Sequence, residues 1–128
     1  MLATNLLRVS VVLIIVSTVL GIGMGISQDF SLMSAHSHLN LLGFVALFLA
    51  ALYYNAVPLA ANIVLAKAHA WIAVVGAVIF PAGVAMVLLG GHHYELTPII
   101  GSLIVLAGMV LFAWVVFRHG FSAASERA

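Results

Sequence analysis

Six histidines stand beside only seven fully charged side chains, Arg8, Asp29, Lys67, Glu95, Arg118, Glu126 and Arg127. Four of the six fall in two close groups, His36-Ser37-His38 and His92-His93. Neutral imidazole is a ligand for copper, zinc and iron, so the spacing within each group decides what it can hold. Two positions along an α-helix are separated by a rotation of roughly 200°, which turns His36 and His38 to nearly opposite faces. They suit two sites rather than one ion: one ring faces into the chain's own helices and the other faces a neighbouring subunit. Asn40 lies one helical turn beyond His36, on its face, and is placed to orient that ring by a hydrogen bond. The bland alternative is that both rings are interfacial polar groups at the start of a helix capped by Ser34.

Gly90-Gly91-His92-His93-Tyr94-Glu95 reads as a turn. Adjacent histidines outside a helix can ligate the same ion, and the glycines give the backbone room to turn. His92 and His93 are therefore candidate metal ligands, with a solvated polar loop as the alternative. His69 and His119 sit beside Lys67 and Arg118. An imidazole at a membrane interface needs no special role, and neither is expected to be a ligand. With no cysteine there is no disulfide, thiolate site or covalent haem attachment.

What positions these residues follows from composition. A chain of 128 residues that is 66% hydrophobic and 5% charged does not have the polar surface of a soluble domain, which excludes a soluble enzyme, a nucleic-acid binder and a disordered chain. The lipid bilayer is its surrounding. The gaps between charges define four apolar spans, predicted as helices at residues 7–26, 36–57, 69–89 and 98–117, with a short tail at 118–128. Gly21, Gly23 and Gly25 close the first span, and the pair Gly21/Gly25 allows another backbone to approach. Pro81 lies inside the third, where a kink is expected. Gly101 and Gly108 on the fourth leave space for a neighbouring helix or a flat macrocycle, and the aromatic residues fit interfacial belts and packing. The expected fold is all-α, a single integral membrane domain of four transmembrane helices. In that topology Arg8, Lys67, Arg118 and Arg127 share one side and Asp29 and Glu95 the other, so both termini are expected in the cytoplasm. His36, His38, His92 and His93 then gather at the outward face.

The run Ser34-Ala35-His36-Ser37-His38-Leu39-Asn40-Leu41-Leu42-Gly43-Phe44, the later His69-Ala70-Trp71 and the Gly-Gly-His-His loop resemble the catalytic subunit of haem-copper oxidases and nitric oxide reductases. The resemblance covers the second to fourth spans. It implies that the chain corresponds to one four-helix arc of a twelve-helix, three-arc architecture. It further implies that His36 and His38 ligate haem and that His92 and His93 match a copper-ligating pair. Three copies would then rebuild the architecture as a homotrimer, with haem b between His36 of one chain and His38 of the next. The chain has no His-x-x-x-Tyr motif and no acidic proton channel. The resemblance implies cofactor binding, and these departures put oxygen reduction and proton pumping in doubt.

The expected function is a haem b protein of a bacterial inner membrane, acting in electron transfer from a respiratory donor or in binding a diatomic gas. The competing expectations are a copper or zinc protein without haem, serving metal delivery, and a non-catalytic structural or assembly protein.

Overall fold

The computed structural model describes residues 1–120, so the tail at 121–128, with Glu126 and Arg127, lies outside the described residues. Among the described residues four helices are long and apolar enough to cross a membrane: the first span Leu2–Ser27, the second Met33–Ala56, the third Val64–Gly90 and the fourth Leu96–His119. A helix satisfies its own backbone hydrogen bonds, which lipid cannot do. Each helix runs past its apolar core, and Arg8 and Lys67 are carried within helices rather than marking their ends.

Local chemistry sets the ends. The first helix stops where Gln28 turns left-handed at φ 56°. In the connection that follows, the Asp29 carboxylate accepts hydrogen bonds from the Ser31 hydroxyl and the Ser31 N–H. The hydroxyl first and the N–H second hold the Asp29 carboxyl below its ordinary value, because both stabilise the charged form. The second helix begins at Met33 after Leu32, with no side-chain cap, so Ser34 is not the cap its position predicts. Its carbonyl has another partner, described below. Pro58 starts a short turn, Pro58–Ala61, where its missing N–H is no loss. Gly91 takes φ 88° between the third helix and a single 3₁₀ turn, His92–Tyr94, a conformation that favours glycine. The third helix continues without a break through the buried Pro81.

Packing follows chain order. The first helix lies against the second, the second against the third, and the third most extensively against the fourth. Among the described residues the first and fourth helices have no comparable contact, so the four do not close into a square. The third and fourth approach closely because Gly83 and Gly101 carry no Cβ: one added at Gly101 would stand 2.6 Å from Phe80 Cα, and one at Gly83 would stand 2.7 Å from Pro98 N. Small residues of this kind are what bring membrane helices together, since lipid supplies no hydrophobic drive between them. The tightest core gathers Leu6, Leu47, Tyr54, Val57, Ala66 and Val115 toward the Lys67 end. The outer faces expose large apolar side chains such as Val12, Ile15, Val64 and Leu103, a surface suited to acyl chains.

Candidate cofactor-binding site

The second helix changes pitch immediately after the His-Ser-His group. Met33–His38 is α-helical, Leu39–Ala46 is π-helical and Leu47–Ala56 is α-helical again. A π segment widens the turn and is frequent at functional sites. Here it carries Asn40 and the buried Gly43, and it lies against the first helix, with Leu13 filling the space over Gly43.

His36 turns toward the first helix. Its Nδ1–H donates to Ser17 Oγ at 3.1 Å, and the Ser17 hydroxyl donates to the His36 carbonyl at 3.3 Å. Ser17 is fully buried, so its single proton has that one use. The amide of Asn40 donates to His36 Nε2 at 3.1 Å, the hydrogen bond that the one-turn spacing predicts. With the Asn40 amide turned this way, the ring carries its proton on Nδ1 and its lone pair on Nε2. Asn40 Oδ1 is buried without a hydrogen-bond partner. Gly21 completes the cradle, since a Cβ there would meet His36 Cε1 at 2.9 Å. Its bareness admits an imidazole rather than a second backbone, whereas Gly25 faces open space.

His38 turns away from His36, toward the third helix. Its Nδ1–H donates to the Ser34 carbonyl at 2.8 Å, and its ring meets Phe80 edge to face with centroids 4.7 Å apart. Tying Nδ1–H to a carbonyl again leaves Nε2 with its lone pair, the state in which a histidine ligates metal.

His92 and His93 are both exposed. His92, with 92% of its side chain accessible, pairs through Nδ1 with Glu95 Oε1 at 2.5 Å. A pair this exposed contributes about 0–1 kcal/mol. His93 stacks edge-on with Tyr94, centroids 5.5 Å apart. Among the described residues no three His, Cys, Asp or Glu side chains are grouped to hold a metal ion, and none of them joins His92 and His93 as a third ligand.

His69 departs most from expectation. It is not an interfacial ring beside Lys67; it is 4% exposed, bonded through Nδ1 to the Tyr54 hydroxyl at 2.9 Å and stacked on Phe112 with centroids 4.8 Å apart. The stripe of buried or half-buried small residues Ala66, Ala70, Ala73 and Ala77 runs along the third span at helical spacing. His69 lies on that stripe, and this periodicity is the signal that identifies it as internal. His119, by contrast, bonds back to the Val115 carbonyl one turn earlier at 3.1 Å.

Comparison with protein-family models, with curated proteins and with solved structures finds no match to this chain.

Proposed function

We propose that the chain is a membrane haem b-binding protein in which His36 and His38 supply axial nitrogens and copies of the chain assemble, as a homotrimer, so that His36 of one and His38 of the next hold one haem. The observation that carries this reading is that each ring has Nδ1 tied to a protein oxygen, Ser17 Oγ for His36 and the Ser34 carbonyl for His38, a pairing that favours Nε2 as the basic nitrogen. Both also lie on opposite sides of one helix, against the first and third spans respectively. The residues fit an axial ligand in other ways. Ser17 fixes the His36 ring plane, Gly21 clears space for it, and the Asn40 amide, whose own oxygen lacks a partner, is the group that yields Nε2 to a ligand. The open packing, in which the first and fourth helices have no comparable contact with each other among the described residues, leaves flanks for neighbouring copies. Haem with two imidazoles supplies one-electron transfer, and with one axial position open it supplies binding of a diatomic gas. Arg8, Lys67 and Arg118 share the opposite end of the molecule, and the positive-inside rule supports the reading in which that end faces the cytoplasm, with a bacterial inner membrane as the proposed setting.

Absorption spectroscopy and metal analysis of the purified protein test the reading. A Soret band that shifts on reduction is expected, lost in His36→Ala and in His38→Ala and retained in the His92→Ala/His93→Ala double variant. A colourless protein carrying copper or zinc, or unchanged haem in both single variants, overturns it.

A further inference from the structure

A second imidazole site lies at the other end of the molecule from His36. Where the second and fourth helices stand apart over the small residues of the third, a cavity of about 250 Å³ opens. Its walls are Ala46 and Ala50 of the second helix, Ala73 and Ala77 of the third, and Gly108 of the fourth, with His69 as the one side chain capable of strong hydrogen bonding. Leu49 and Met109, which also line it, are 56% and 51% exposed on the outer faces, so the cavity has an approach from lipid.

The hydrogen bonds around His69 define what the cavity asks of an occupant. Tyr54 is 1% exposed, and its hydroxyl has His69 Nδ1 as its hydrogen-bond partner. Were Nδ1 the donor, the phenolic proton would be buried with nothing to accept it; Tyr54 therefore donates and Nδ1 accepts. In the neutral ring the proton then sits on Nε2, and Nε2 has no partner among the described residues. Nε2 is not sealed in the protein but open to the cavity; a donor that meets only hydrocarbon there is costly, and neither an acyl chain nor any other hydrocarbon relieves it. A carbonyl oxygen does. The cavity is smaller than the usual 300–1,000 Å³ or so of sites for drug-sized ligands, which limits the occupant to about one ring.

We propose that this cavity binds a lipid-soluble single-ring compound bearing a carbonyl, the chemistry of a quinone head group, with His69 Nε2–H donating to the carbonyl and Tyr54 fixing the tautomer. The assignment is independent of haem binding at His36 and His38.

Duroquinone and its hydrocarbon counterpart durene are the probes, titrated calorimetrically into the air-oxidised full chain in lipid nanodiscs, with empty nanodiscs subtracted. Saturable duroquinone binding is expected, about tenfold tighter than durene, the ratio one hydrogen bond provides. His69→Phe/Tyr54→Phe removes both polar groups while keeping both rings, and brings duroquinone down to the durene level. Ala46→Leu fills the cavity and abolishes binding of both, so the site remains testable if the double variant does not fold. In [¹⁵N]histidine spectra the His69 Nε2 resonance moves with duroquinone and not with durene. Equal affinity for the two probes marks an acyl-chain void and overturns the proposal, as does absence of saturable duroquinone binding or full binding by Ala46→Leu.

Discussion

Replacing two glycines of the fourth helix by alanine is expected to move stability in opposite directions. At Gly101 the new methyl would stand 2.6 Å from Phe80 Cα, 2.9 Å from Phe80 N and 3.0 Å from Phe80 Cβ. Carbon atoms rest at about 3.5–4.0 Å, so the third and fourth helices must part by about 1 Å. Two of the three atoms met are backbone and cannot rotate away. The strain propagates to Gly83, which meets Pro98 at the same interface. Overpacking of this kind costs about 1–3 kcal/mol, while alanine regains up to about 1 kcal/mol over glycine in a helix. With rigid backbone on the receiving side the balance is a loss of about 1–2 kcal/mol. At Gly108 the nearest atom to the methyl is Ile72 Cγ2 at 3.4 Å, ordinary contact, so only the gain of up to about 1 kcal/mol operates. Reversible unfolding in bicelles by steric trapping measures both. Equal shifts in the two variants, or a Gly101→Ala protein as stable as the parent, would refute the account of how these helices meet.

Two further outcomes follow from the polar groups. Ser17→Ala leaves His36 Nδ1–H without its partner, while the His36 carbonyl keeps the Leu39 N–H, and is expected to cost about 1–3 kcal/mol by the same unfolding measurement, with the ring no longer held in one tautomer by ¹⁵N spectroscopy; an unchanged ¹⁵N pattern counts against the network. At Asp29 the sign runs with a depressed carboxyl: the Ser31 contacts contribute fully above the unfolded-state pKa and are lost as pH falls through the lower folded value. Ser31→Ala should raise the Asp29 titration toward the ordinary carboxyl range in a ¹³C-detected NMR titration, and an unmoved curve would remove Ser31 as the cause.

Much of the architecture is visible in the amino acids themselves because lipid imposes a strong rule: seven charges in 128 residues leave four uninterrupted apolar stretches. The ends are less visible. Nothing around Thr4, Asn5 or Lys67 breaks a helix, so the first and third helices run several residues beyond their apolar runs, to Leu2 and Val64. The opposed faces of His36 and His38, and the reach of Asn40 to His36, are consequences of helical rotation over a few residues and are legible for that reason. Ser17 and Gly21 around His36 depend on how the first helix docks, which local spacing does not encode. The wide turns at Leu39–Ala46 have no breaker residue to announce them beyond Gly43. The burial of His69 needs Phe112 from the fourth helix, although the alanine stripe on its own helix already marks the inward face. Ser34 has the right residue type for a cap, yet Leu32 occupies that position.

The partners of the two internal imidazoles arrive at different times as the chain is made. Ser17, Gly21 and Asn40 all precede the third span, so the pocket around His36 has every one of its pieces once the first hairpin has entered the bilayer. His69 must wait for Phe112, near the end of the fourth span, before its ring is covered. A ribosome-stalled chain ending before the fourth helix would thus hold one histidine in its finished surroundings and the other still open to lipid.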